Sequence, residues 1–178
     1  RTRADVSSPQ DRCVRWHRVR PSPAAQEVLD ALMAYERAVL AEAGRHGMDA
    51  ALLLLSVFRK RALSTMAALD DTLGRRLATI ERTGNAVAPE WHQPRFDGLD
   101  DRDDVSDDER QGLDAAIGMP RVRERAWLRR LRHLSGIAAA VDHKLIRLRG
   151  LVSRCPEPVV IFTEFRSSLT AIERWLAA

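Results

Sequence analysis

The sequence predicts a mainly α-helical protein with one incipient βα unit, Val159 to Ala178, and three observations carry that prediction. The composition leans on Ala, Leu and Arg, which are strong helix formers, while aromatic residues make up only 5%. Apolar residues recur at intervals of three and four along most of the chain, the spacing of helices with one buried face. Near the end "PVVIF", from Pro158, has strand character: it is a short β-branched run without alternation, and a new amphipathic stretch follows it. With 178 residues, 45% of them hydrophobic, the chain holds enough apolar material for one core of ordinary domain size.

The first twenty residues alternate charge with Val and Trp ("CVRWHRV") and finish at "PSP", an extended segment closed by a turn. Pro23 suits a helix start, and Val28, Leu32, Tyr35 and Val39 then form a stripe from Ala24 to Ala43. Gly44 and Gly47 end that helix. A second helix starts at about Asp49, read as its N-cap, and its "AALLLL" run is apolar nearly all round, which places it centrally in the core. Ser64 reads as the next cap. After it Met66, Leu69, Leu73, Leu77 and Ile80 keep one face apolar as far as Gly84.

Residues 85–120 combine Pro89, Pro94, Gly98, Gly112, Gly118 and Pro120 with the acidic run "DGLDDRDDVSDDE", and read as a mobile acidic insert. The "DDER" at Asp107 lacks the hydrophobic strand that precedes a magnesium-binding Asp-Glu pair, and no glycine sits at the sixth position of a calcium loop. From Trp127 the apolar positions step through Leu131, Leu134, Ala138, Val141, Leu145, Leu148 and Val152, a heptad-like seam. Ala138 and Gly136 thin the seam and Asp142-His143-Lys144 offers a cap between two helices, so packing within the chain is preferred to a free-standing coiled coil. "CPEP" then breaks the helix. Val159 to Phe162 is expected to be a strand buried on both faces, and Ser167 or Ser168 to cap a last helix whose Leu169, Ile172 and Leu176 face inward.

Lys and Arg number 29 against 25 Asp and Glu, a net charge of +4 that hides a strong segregation. The acidic run contrasts with "RVRERAWLRRLRHL" from Arg121, which is either a basic surface able to face nucleic acid or one half of a pair of solvated helix faces. The sequence contains no phosphate loop, dinucleotide-binding glycine motif, H-E-x-x-H or nucleophile elbow. His17, His46, His92, His133 and His143 are scattered, and Cys13 and Cys155 lack the spacing of a metal site. Neither a catalytic residue nor a metal ligand is assigned. "AALLLL" is too short to cross a bilayer and the opening residues are too charged for a secretory signal, so the expectation is a cytoplasmic protein with no membrane partner. The chain starts at Arg1 without an initiator Met and reads as an excised piece.

Three stretches, taken in order, carry a resemblance. "RTRADV" resembles the "R-R-x-K-x-D-V" signature at the end of the first RecA-like lobe of Swi/Snf-type superfamily-two ATPases. "LSVFRKRALSTMAALDDTLGRRL", Leu55 to Leu77, is similar to the "L-x-K-R-x-x-S-S-x-x-A-L" helices between the lobes of bacterial RapA/HepA-like members. "DHKLIRLRGLV" followed by "PVVIFTEFRSSLTAI" is similar to their "D-x-K-x-x-x-L" helix and motif IV, with Phe165 where Tyr is frequent and Ser168 where Thr is frequent. The resemblance spans residues 1–83 and 121–178.

In the fold that this resemblance implies, residues 1–23 end the first lobe and 24–84 form a helical protrusion. Residues 85–120 are an acidic insert, 121–156 are long linker helices, and 157–178 begin the second RecA-like lobe. ATP and Mg would bind in the remainder of such a protein, and this chain by itself would be inactive. Its partners would be those missing parts of both lobes and DNA, held weakly, without sequence preference and in a salt-sensitive manner. Thr163 and Arg166 would touch the phosphate backbone, and Arg59, Lys60 and Arg61 would form a DNA-facing rim unless they simply favour a helix end. The isolated chain would be open to self-association. Two other readings stand beside this one: a helical interaction module that oligomerises through the Leu131 to Val152 seam, and a small basic nucleic-acid-binding domain.

Overall fold

In a computed structural model the chain is described over residues 14–43, 48–83, 113 and 116–177. The fold over these residues is mainly helical. Six helices are described along their length: α1 (Pro23–Glu42), α2 (Met48–Ser64), α3 (Met66–Thr83), α4 (Arg121–Ala139), α5 (His143–Val152) and α6 (Arg166–Ala177). Among the described residues no helix is long and apolar enough to cross a membrane. The "RTRADV" stretch, Cys13, His46, His92 and the acidic run with its "DDER" lie outside the described residues.

Local chemistry sets the helix starts. Ser22 caps α1, its hydroxyl accepting from the Ala25 amide at 3.1 Å, and Pro23 takes the first helical position, where no amide hydrogen is needed. Asp49 is not the cap of α2; the helix already includes Met48, and Asp49 lies in the first turn, where its charge complements the helix dipole. Ser64 does not cap α3 either. That role falls to Thr65, the single residue between α2 and α3, whose Oγ1 accepts from the Ala68 amide at 3.1 Å.

The main core is a stack of helix stripes. Val28, Leu32, Tyr35 and Val39 of α1 meet Leu54, Leu55 and Phe58 of α2, Leu69 and Leu73 of α3, and Leu128 and Leu131 of α4, all buried. The Tyr35 ring stands 6.1 Å, centroid to centroid, from both Phe58 and Trp127. The seam from Trp127 is spent inside the chain: Leu131 and Ala138 are fully buried against this core and Leu134 packs on it. At Val141 the seam is interrupted, and Asp142 caps α5 by accepting from the Lys144 amide.

Two sequence expectations need correction here. The end of the 85–120 segment belongs to the core, because Leu113, Ile117 and Met119 are buried in it. Leu113 is pinned by its backbone: its carbonyl accepts from Arg76 Nη1 at 2.6 Å, while Arg76 Nε donates to Glu124 Oε1 at 2.8 Å. Both charged side chains are almost wholly buried, and Tyr35 donates a long 3.5 Å hydrogen bond to the same Glu124 oxygen. Burial, reinforced by the Glu124 charge, raises the Tyr35 pKa well above the ordinary tyrosine value.

The other correction concerns the βα unit. Val159 to Phe162 is not buried on both faces: Val160 is 75% and Phe162 92% exposed, and among the described residues it has no strand to pair with. Ile161 alone turns inward, onto a small second cluster of Leu145, Ala171 and Ile172 that Ala67, Leu148 and Trp175 complete. In α6, Ser168, Ala171 and Ile172 form the buried face, so Leu169 and Leu176 stay partly exposed. Ser167 and Ser168 fall inside the first turn instead of capping it.

Candidate nucleic-acid interface and the junction behind it

The α2–α3 joint, the start of α5 and the start of α6 meet in one polar junction. Asp142 holds two helix starts, accepting from the Met66 amide of α3 through Oδ2 at 3.2 Å and from the Lys144 amide of α5 through Oδ1 at 2.9 Å. Lys144 reaches the opposite kind of terminus: its Nζ donates to the Leu63 and Ala62 carbonyls at the end of α2, at 2.9 and 3.3 Å. Burial lowers the Lys144 pKa, while the Asp142 charge acts in the other direction. From α6, the Ser168 hydroxyl lies 2.7 Å from that of Ser64 and 3.0 Å from that of Thr65. The Arg61 guanidinium covers the Phe165 ring, 3.9 Å from its centroid.

This junction separates the five residues expected at the nucleic-acid surface. Arg61 departs from the expected rim: it is 3% exposed because its guanidinium is drawn beneath Phe165, out of reach of a phosphate backbone. Arg59 is exposed but engaged, with Nε and Nη2 donating to the two oxygens of buried Glu36 at 2.7 and 2.5 Å. That carboxylate raises the Arg59 pKa through its hydrogen bonds and its charge. Lys60 projects into solvent. Thr163 is half-buried, its Oγ1 accepting a long 3.5 Å hydrogen bond from the Phe165 amide, and Arg166 is exposed at the first position of α6. Thr163 and Arg166 therefore sit on one short turn, and the junction ties that turn to α2 through Phe165 and Ser168.

The Arg-rich face of α4 is less basic than its sequence suggests. Arg123 pairs with Glu42 of α1, Arg129 with Glu81 and Arg132 with Asp70 of α3, and Arg130 lies over the Trp127 ring. What sequence reasoning missed at the junction is Asp142, Lys144 and Ser168 acting together. The first two were visible as a cap between helices, but nothing local marks their contacts with α2 and α3. Among the described residues no group of three or more His, Cys, Asp or Glu side chains is placed to hold a metal ion. Comparison with protein-family models, with curated proteins and with solved structures returns no match.

Proposed function

We propose that this chain is the inter-lobe helical region of a bacterial Swi/Snf-type DNA translocase or helicase, with α1–α3 as the protrusion, α4 and α5 as linker helices, and residues 157–177 as the entry to the second RecA-like lobe. One observation carries the reading. The stretch Leu55 to Leu77 and the stretches following Asp142 and Pro158 resemble this family separately, and they meet at a single junction, through Arg61 and Phe165, Ser64 and Ser168, and Met66 and Asp142. In a two-lobed motor such a junction would transmit movement of the second lobe to the protrusion. The exposed Val160 and Phe162 would be covered by neighbouring strands of that lobe. Thr163, Arg166 and Lys60 would face DNA, and ATP and Mg would be held by other parts of the motor.

The test is the ATPase activity of the uninterrupted reading frame that contains this chain. Hydrolysis stimulated by duplex DNA is expected, with a phosphate loop encoded upstream and an arginine motif downstream. A frame that encodes neither, or an ATPase indifferent to DNA, rejects the reading.

A further inference from the structure

Beside the junction, one part of the surface is basic, unneutralised and aromatic together. Residues 14–20, "VRWHRVR", hold three arginines and a histidine with no carboxylate. This segment runs beside the start of α5, where the Arg20 carbonyl and His143 Nδ1 are 3.2 Å apart and Val19 and Arg20 line the same small cavity as Asp142, His143 and Lys144. Residues 143–154 of α5 and its end also lack any carboxylate. Arg147 lies one turn on from His143 on the same side of the helix, and beyond it Arg154 folds back, its Nε donating to the Gly150 carbonyl at 2.6 Å. Among the described residues, Arg15, Arg18, Arg20 and Arg147 form no ion pair with a carboxylate, unlike Arg123, Arg129 and Arg132 of α4.

Trp16 is the feature that charge does not explain. It is 91% exposed, whereas Trp127 and Trp175 pack into the two hydrophobic clusters. Tryptophan usually buries most of its large surface, so a ring left open between arginines suits a partner with a flat face. A single nucleic-acid strand provides both parts of that match, phosphates for the arginines and an unstacked base for the indole. A duplex provides the phosphates but keeps its bases stacked on each other. An anionic membrane would need a broad apolar face, and the outward side of α5 carries His143, Arg147 and Gly150 with only Ile146 beside them.

We infer that residues 14–20 and the outward face of α5 form a binding strip for single-stranded nucleic acid, in which Trp16 stacks on a base and Arg18 and Arg147 contact phosphates. This strip is separate from the turn at Thr163 and Arg166, and it does not depend on the inter-lobe reading.

Fluorescence anisotropy of the full chain with a labelled oligo-dT and with a hairpin duplex, over a salt series, tests the inference. Tighter binding of oligo-dT is expected. Trp16→Ala should weaken it about ten-fold and Trp16→Phe much less, since a base stacks on either aromatic ring. Replacing both Arg18 and Arg147 by Ala should reduce the slope of log affinity against log salt by about 1.4, about 0.7 for each cation. Trp16, Arg18 and Arg147 are all exposed, so far-ultraviolet circular dichroism should be unaltered. The inference is overturned if oligo-dT does not bind at low salt, if Trp16→Ala binds it as well as the original chain, or if vesicles containing phosphatidylserine capture the protein while oligo-dT does not.

Discussion

The guanidinium of Arg61 lies over the Phe165 ring, 3.9 Å from its centroid, and joins the end of α2 to the turn that opens α6. Both side chains are buried there, Arg61 at 3% and Phe165 at 5% exposure, so the contact is shielded from water. A desolvated cation–π pair of this kind contributes about 2 kcal/mol. Because α6 otherwise rests on the small second cluster and the Ser168 hydroxyl, Arg61→Ala should release α6 without unfolding the main core. Hydrogen exchange of the amides in 166–177 should accelerate while those of α1 and α4 keep their protection. A double-mutant cycle with Phe165→Ala should return a coupling of about 1–2 kcal/mol; additive effects would show that the two residues act independently.

Tyr35 is the only tyrosine of the chain, which makes its ionisation directly readable. Its raised pKa means that the folded protein keeps the phenolic proton at a pH where the unfolded chain releases it. The contribution to stability is therefore complete below the unfolded value of about 10 and declines as pH rises beyond it. Tyrosinate absorbance should stay absent above pH 10 until the fold is lost, and then appear together with the unfolding transition. Tyr35→Phe should make stability less dependent on pH in that range.

Arg76 and Glu124 are buried together, so removing either charge strands the other. Arg76→Met or Glu124→Gln alone should cost about 3–5 kcal/mol in urea unfolding. The double replacement Arg76→Met with Glu124→Leu should cost less than either single change, because no uncompensated charge remains in the core. A double variant as unstable as the two effects summed would contradict this account.

Within a DNA-stimulated ATPase containing this chain, Thr163→Val and Arg166→Ala should lower stimulation by DNA and leave basal hydrolysis and melting temperature nearly unchanged. Loss of a charge-assisted phosphate contact at Arg166 corresponds to about 1–3 kcal/mol of DNA affinity. Titrating DNA against stimulated rate for each variant separates that outcome from a purely local role, for which stimulation would be preserved.

Much of the helical fold was legible because burial leaves a periodic trace. Met66, Leu69, Leu73, Leu77 and Ile80 are spaced as one helix face and all five are buried. The break at Asp142 was legible for a similar reason, since a capping side chain acts on amides two residues away. Leu113, Ile117 and Met119 were hidden by their neighbours, a setting of acids and glycines whose average character hid three core residues. Arg61 could not be placed from "FRKRAL", because its burial depends on an aromatic ring contributed from far along the chain. Nor could the α4 arginines be read as neutralised, since Glu42, Asp70 and Glu81 stand on other helices. The inward face of α6 was misjudged for a different reason: large apolar residues were given precedence, whereas the close approach to α2 and α3 admits Ser168 and Ala171. β-Propensity at Val159 to Phe162 is a local quantity, and pairing requires a second strand.

Asp142 serves two amides from two helices with two different oxygens on a side chain one methylene long. Among the twenty amino acids no other offers that combination. Asparagine would present one oxygen and one NH2 group, so either Met66 or Lys144 would face a donor in place of an acceptor; glutamate would overshoot by a carbon. A saturation library at this position, selected only for folding, should therefore return aspartate almost alone. A codon there would look constrained by chemistry in any set of related sequences, on the strength of those two amide contacts alone.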